Sequence, residues 1–144
     1  MLSLEETQEG ILEFLQTSFA QPVHELAVPD AQTLLRNSAG AVDPYIAIQF
    51  GDVYQQGKQN MATPMGDDYQ LPIYIQYVAA NPKIARKMYN KGLGLFLAKT
   101  FPYSGSVTKR LGGGMYALNA SNAATEAYMF PASFKLLVQL LTTD

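Results

Sequence analysis

The sequence predicts an α+β fold in which a small antiparallel β-sheet, mixed if one strand joins it in parallel, has two helices packed on one face. Residues 3–19 and 82–98 repeat apolar side chains at helical spacing. Residues 69–78 and 127–141 alternate apolar and polar side chains with the period of a half-buried strand. Strands and helices in this order are typical of an antiparallel sheet with its helices segregated to one side.

Length and composition predict one folded domain, residues 1–144. The chain has a mass of 15.8 kDa and no cysteine, which excludes a disulfide scaffold, an iron–sulfur cluster and a cysteine zinc site. Charged residues make up 15% of the chain, against about 25% in a typical domain. Because fewer ions must be desolvated when a partner covers such a surface, this composition favours a subunit of an assembly.

The charges are divided unequally between the two halves of the chain. Residues 1–72 contain ten acidic and two basic side chains, a net charge of −8, whereas residues 73–144 contain eight basic and two acidic ones, a net charge of +6. Either these charges meet inside one molecule, or opposite faces differ in sign and steer copies head-to-tail into a ring or stack. The overall net charge of −2 argues against general nucleic-acid binding.

The first predicted helix, residues 3–19, is amphipathic and acidic. Ser3 and Glu6 have the spacing of a capping box, and Pro22 is expected to stop the helix. Its apolar face consists of Leu4, Ile11, Leu12, Leu15 and Phe19, and its candidate interface carboxylates are Glu5, Glu9 and Glu13. A short strand over 23–28 and an irregular stretch over 29–44 are expected to follow.

Two strands flank a long loop in the middle of the chain. The first spans residues 45–51, a β-branched and aromatic run bounded by turn residues. Residues 51–67, rich in Gly, Gln and Asn, are predicted to form the loop. In the second strand, residues 69–78, Pro72 has no N–H to donate, so we expect it at a sheet edge or a β-bulge.

The second predicted helix, residues 82–98, is basic on its polar face. Asn81 is the expected N-cap and Pro82 the first helical residue, while Gly92 and Gly94 weaken the later turns. The apolar face is predicted to contain Ile84, Ala85, Met88, Leu95 and Phe96, and the basic stripe Lys83, Arg86, Lys87 and Lys91. Two final strands are predicted, around 115–118 and over 127–141.

The basic stripe has three interpretations. It is the solvated side of an amphipathic helix, or it pairs with the acidic first helix of a neighbouring copy, or it faces passing DNA. Four charges alone would bind DNA weakly, without sequence preference and with strong salt dependence.

No residue pattern predicts an enzyme, a metal site or a cofactor. His24 is the single histidine, and a hydrolase or metal site built on it would need a nucleophile or carboxylates beside it. Its neighbour Glu25 would point to the opposite face of a strand, and Asp67 and Asp68 diverge in the same way. The glycines at 112–114 precede no Walker lysine, which favours a hairpin connection over a phosphate loop.

The order of these segments resembles the tail terminator, or tail-completion, proteins of long-tailed bacteriophages. The resemblance rests on the run Asp43-Pro44-Tyr45-Ile46-Ala47-Ile48-Gln49-Phe50-Gly51, on the strands at 71–78 and 127–141, and on the helix at 84–96. It implies a non-enzymatic virion protein, made in the host cytoplasm, that forms a ring, usually hexameric, at the head-proximal end of the tail. Such a ring caps the tail tube, stops its polymerisation and joins the tail to the head or neck.

The resemblance also implies partners and a contact loop. The partners are further copies of the chain, the tail tube protein and the neck or head-completion protein; DNA in the lumen makes only weak contact, and no membrane is involved. The loop at 51–67 is the candidate contact with the tube or a neighbouring subunit, through Val53, Tyr54, Gln55, Gln56, Lys58 and Met61. A neck or head-completion protein stays open as an alternative, as does a small-molecule binding domain with its pocket between sheet and helices.

Overall fold

The computed structural model describes residues 2–25, 43–55, 69–110, 114, 116–118 and 127–142. Their elements are α1 (Ser3–Ser18), β1 (Val23–Glu25), β2 (Tyr45–Phe50), β3 (Tyr54–Gln55), β4 (Tyr69–Ala79), α2 (Pro82–Phe96), β5 (Thr108–Lys109), β6 (Tyr116–Leu118) and β7 (Ala127–Val138). The strands form one open sheet in the order β1-β2-β4-β7-β5, with β3 paired to β4 and β6 to β7. Since β1 is parallel to β2 and the other pairs are antiparallel, the sheet is mixed and the α+β prediction is confirmed.

The core lies between the helices and one face of the sheet. The alternation predicted for the central strands is confirmed, because every second residue is buried there from Leu71 to Ala79 of β4 and from Ala132 to Val138 of β7. The buried strand residues are Leu71, Ile73, Ile75, Tyr77, Ala132, Phe134, Leu136 and Val138, and the helices add Ile11, Leu15, Ala85, Met88 and Phe96. Burial of each large apolar side chain stabilises the fold by about 1.5–3 kcal/mol.

Pro72 lies opposite a β-bulge, as its missing N–H requires. β2 pairs with β4 up to Phe50↔Ile73, and β3 resumes at Tyr54↔Gln70, so residues 51–53 stand opposite only two residues of β4. The carbonyl of Pro72 accepts a hydrogen bond from Gly51 N–H at 2.9 Å. Because N–H and C=O of one strand residue point to the same side, the missing donor also faces this bulge.

The prediction that Ser3 starts a capping box is wrong, although α1 begins there. The N-cap is Leu2, whose side chain makes no capping hydrogen bond. The buried hydroxyl of Ser3 donates a hydrogen bond to the carbonyl of Gln139 (2.5 Å) and accepts one from the N–H of Leu141 (2.8 Å). The C-terminal segment offers an acceptor and a donor together, so the hydroxyl joins α1 to that segment and not to its own first turn.

The predicted start of α2 is confirmed, but the prediction that Ile84 belongs to its buried apolar face is wrong. The Asn81 side chain accepts a hydrogen bond from Lys83 N–H at 2.8 Å, with Pro82 in the first turn. The buried line of the helix runs through Ala85, Met88, Gly92 and Phe96. Ile84 is rotated about 100° from Ala85 around the helix axis, and it is therefore 40% exposed and absent from the core.

Gly92 lets α2 lie directly on Tyr77 of β4. A Cβ atom at this position would overlap the Tyr77 hydroxyl and lie 2.6 Å from its Cζ, whereas a Cβ at Gly94 would meet nothing within 4 Å. The hydroxyl is buried without a hydrogen-bond partner among the described residues. Burial, with a smaller contribution from Tyr89, raises the pKa of Tyr77. The glycine that weakens the isolated helix is therefore required by its packing.

We expect Gly92→Ala to lower the free energy of unfolding by about 2–3 kcal/mol, because the added methyl group overpacks the core. Gly94→Ala is the matched control in the same helix, and it should raise stability by up to about 1 kcal/mol through helix propensity alone. Adding Tyr77→Phe to Gly92→Ala should recover part of the loss. Denaturant unfolding measures all three, and equal stability of the two alanine variants would contradict this packing.

Candidate interaction surfaces

The outer face of α1 forms an acidic surface, defined by Glu5, Glu9 and Glu13. All three are exposed, because the opposite side of the helix buries Ile11 and Leu15 in the core. Their spacing of four residues makes them neighbours along one side of the helix. Like charges at this spacing destabilise a helix by a few tenths of a kcal/mol for each pair, which a cation from outside the helix would relieve.

The outer face of α2 forms a basic surface, which contains Lys83, Arg86, Lys87 and Lys91, all exposed. Lys109 of β5 extends this basic surface, because the Lys109 Nζ lies 6.0 Å from the ring centroid of Tyr89 in α2. Lys91 is the last of these residues along α2, and its Nζ lies 4.8 Å from the ring centroid of Phe19. This cation–π contact joins the end of α1 to the middle of α2.

The two surfaces do not neutralise each other. Between residues 2 and 55 the described segments contain seven acidic and no basic residues, and between 69 and 142 they contain eight basic and no acidic ones. Glu5, Glu9 and Glu13 form no ion pair with any residue in the described segments. Within the described residues these three carboxylates have no partner of opposite charge, whereas Arg36 and Lys58 lie outside those residues, so the interpretation that charges meet inside one molecule stays a prediction.

Only the beginning of the predicted contact loop lies within the described residues. Val53 belongs to the bulge opposite Pro72 and is half-buried against the core, and its role as a contact stays a prediction. Tyr54 and Gln55 form β3 and not a loop, and Tyr54 is 38% exposed. Gln56, Lys58 and Met61 lie outside the described residues, so their role as contacts stays a prediction.

His24, the single histidine, lies in β1 beside an aromatic side chain. Its half-buried ring packs edge-on against Tyr45, with 5.7 Å between ring centroids. No group of three or more His, Asp or Glu side chains in the described segments is placed to hold a metal ion. No helix among them has the length and apolar character needed to span a bilayer. Asp67 and Asp68, like residues 112–113, lie outside those segments.

Residues 101–104 form a tight turn that the sequence pattern did not predict. Ser104 N–H donates to the carbonyl of Phe101 at 3.1 Å, with Pro102 and Tyr103 between them. Tyr103 has φ of +57°, as the third residue of a type II turn does, a position where glycine is usual. Pro102, Ser104 and Gly105 are residue types common in turns. Because tyrosine occupies the position where glycine is usual, the pattern did not predict this turn.

The turn is fixed by hydrogen bonds from three directions. Ser104 Oγ accepts from Phe101 N–H at 2.8 Å, and Thr7 Oγ1 of α1 donates to the carbonyl of Pro102 at 2.6 Å. Gln139 N–H, just after β7, donates to the carbonyl of Tyr103 at 3.0 Å. A side chain at positive φ costs about 1–2 kcal/mol, and these bonds hold Tyr103 in that conformation.

Four apolar side chains are exposed in the turn and in the two terminal segments joined to it by hydrogen bonds: Leu2, Tyr103, Leu137 and Leu141. Each of the four is between 37% and 45% exposed. A depression of about 330 Å³ lies between Tyr103 and Leu137, with Ser104, Gly105, Val138 and Gln139 as its other lining residues. Exposed apolar side chains grouped around a concave site are typical of an interaction surface.

Comparison with known proteins identifies a shared fold. A chain from the "Virion of native gene transfer agent (GTA) particle" is similar to this one with a TM-score of 0.58 and 12% sequence identity, over 95% of this chain and 97% of that chain. A second solved chain is 14% identical over 94% of this chain and 98% of its own, with a TM-score of 0.45 that carries no argument. No protein-family model matches the sequence, and no curated protein does.

We expect Ser104→Ala to lower the free energy of unfolding by about 1–2 kcal/mol, because it removes the hydroxyl that holds the N–H of Phe101. Ser106→Ala is the control, since Ser106 is exposed and its side chain forms no hydrogen bond with the described residues. Thermal unfolding compares the two. If both variants melt with the wild type, the hydroxyl of Ser104 does not support the turn.

Proposed function

We propose that this chain is a structural protein of a phage-like virion and not an enzyme. Its copies associate head-to-tail into a ring, expected to be a hexamer, at the head-proximal end of the tail. The ring caps the tail tube, stops its growth and joins it to the neck. The fold shared with a virion chain over nearly the whole of both chains supports the structural role. The resemblance to tail terminators in the order of elements supports the position in the tail.

The unpaired acidic and basic surfaces are the observation that carries the proposal. Each is exposed on its own helix, and they differ in sign, so the acidic surface of one copy is complementary to the basic surface of the next. A contact between two different surfaces of the same chain is heterologous, and it repeats until a ring closes. Opposite potentials accelerate such encounters and disfavour like-charged arrangements.

The capping mechanism is geometric. One face of the closed ring is complementary to the last ring of the tube, and the other face lacks the surface that a further tube subunit needs. The exposed Tyr54 of β3 is the described candidate for contact with the tube. The basic surface is covered by neighbouring subunits in this arrangement, which leaves only weak contact with DNA in the lumen.

The test adds the purified protein to tail tubes growing from the tube protein of the same phage, with tube length and end structure measured by electron microscopy. The wild-type chain should bind one end and limit tube length. Lys83→Glu with Lys87→Glu should weaken self-association about tenfold and abolish capping, because two attractive contacts become repulsive. Adding Glu5→Lys and Glu9→Lys to the same chain should restore part of both.

The matched control is Lys99→Glu with Lys135→Glu, which changes the net charge equally outside the basic surface and should cap normally. Tubes that grow without limit beside the wild-type protein would contradict the terminator role. A wild-type chain that ignores tubes but binds the neck would favour the neck or head-completion alternative. A four-residue reversal no better than the Lys83, Lys87 pair alone would count against the charge pairing.

A further inference from the structure

The face of the sheet that points away from the helices, the outer face, has a buried end and an open end. Because Leu71, Ile73 and Ile75 of β4 point to the helices, the alternate residues of β4 and their partners on neighbouring strands point outward. At the end near the beginning of β7 the outward side chains are apolar and buried: Tyr45, Ala47, Val78 and Met129. Beyond them the outward side chains are exposed or half-buried and include Gln49, Tyr74, Gln76, Thr108, Ser133 and Lys135.

Tyr74 lies at the centre of this open part, with its ring exposed and held from two sides. It pairs with Gln49 of β2 and with Ser133 of β7, and it is 37% exposed. The ring lies against the bulge, since a Cβ atom at Gly51 would lie 3.1 Å from the Tyr74 Cε2. The Tyr74 hydroxyl accepts a hydrogen bond from Arg110 Nη1 at 3.3 Å. An exposed aromatic ring fixed on a sheet is a platform on which a planar group stacks.

The open part of the outer face is basic. Lys135 lies two residues beyond Ser133 on this face, and the Arg110 N–H donates to the carbonyl of Ser133 at 2.8 Å. The hydrogen bond to Tyr74 uses one of the five donors of the Arg110 guanidinium. Among the described strands, no outward position of β2, β4, β5 or β7 carries an acidic residue, and the exposed Asp52 belongs to the bulge. The overall net charge of −2 therefore does not describe this face, which attracts anions.

The aromatic ring distinguishes the outer face from the basic surface on α2. The exposed large apolar residue of that helix is Ile84, whose aliphatic side chain has no π-face on which a base can stack. Carboxylates would engage only the cations of the outer face. A nucleic acid strand offers phosphates to the cations and bases to the ring, so it matches both features at once.

We propose that the outer face binds single-stranded nucleic acid without sequence preference, with a base stacked on Tyr74 and phosphates bound by Arg110 and Lys135. This inference goes beyond the capping role proposed above and does not depend on it. Every base has a π-face, so stacking on the ring is tolerant of sequence. Gln49 and Ser133 are placed on either side of the ring to hydrogen-bond with the bound strand. With two phosphate contacts, the logarithm of the binding constant should fall with the logarithm of the salt concentration with a slope of about −1.4.

The test titrates the full chain into a fluorescent oligothymidylate of about 10 nucleotides at low salt and follows its anisotropy. Tyr74→Leu should weaken binding at least about fivefold because it removes the ring, whereas Tyr74→Phe keeps the ring and should stay within about twofold of the wild type. Arg110→Gln with Lys135→Gln should weaken binding about tenfold and flatten the salt dependence. Thermal unfolding checks that each variant is folded.

The matched control is Lys83→Gln with Lys87→Gln, which removes two cations from the basic surface on α2 and should cost less than about threefold, because screening weakens distant charges. A wild type that does not bind the strand, equal losses for Tyr74→Leu and Tyr74→Phe, or a loss confined to the control would overturn the inference. Displacement of the strand by polyglutamate as readily as by unlabelled thymidylate would assign the face to an acidic protein, and would overturn it too. Tyr74→Leu should still cap tail tubes, so failure of either proposal is distinguishable from failure of the other.

Discussion

The pairing of β4 with β7, from Tyr69↔Val138 to Ala79↔Tyr128, is the constraint on which the rest of the structure depends. Strands β2, β3, β5 and β6 pair with it directly, β1 joins through β2, and both helices pack on the core that it lines. Each of its strands contains a proline whose missing donor faces a break in the neighbouring strands. Pro72 faces the bulge between β2 and β3. Pro131 faces the interval on β7 between Met129, where the pairing with β6 ends, and Phe134, where the pairing with β5 begins.

Several features are unfavourable in an isolated subunit, and the proposed assembly would account for them. Like charges are neighbours on α1, a tyrosine adopts the backbone conformation of glycine, and leucines remain exposed around it. Sequences that fold well usually avoid such local conflicts, and conflicts that persist mark functional surfaces. In the proposed assembly a neighbouring copy would neutralise the charges on α1 and cover exposed apolar groups.

The sequence predicts the elements that hydrophobic periodicity determines, and it fails where distant segments meet. The burial of Leu71, Ile73 and Ile75 follows from alternation alone, and the Asn81 cap follows from local chemistry. The role of Ser3 was not predictable, because its partners are contributed by the C-terminal segment. Ile84 matched the apolar face, but only the placement of α2 on Tyr77 decides which line of the helix is buried. The turn at Tyr103 has tyrosine at the position where a type II turn usually has glycine, so only the structure reveals it.

Disulfide trapping tests most directly whether the acidic surface of one copy meets the basic surface of the next. The chain contains no cysteine, so Glu9→Cys and Lys87→Cys can be introduced without background reaction. The double variant, oxidised in solution, should give a ladder of covalent oligomers on a denaturing gel, whereas a mixture of the two single variants should stop at dimers. A double variant that stays monomeric, or single variants that cross-link to themselves, would contradict head-to-tail assembly through α1 and α2.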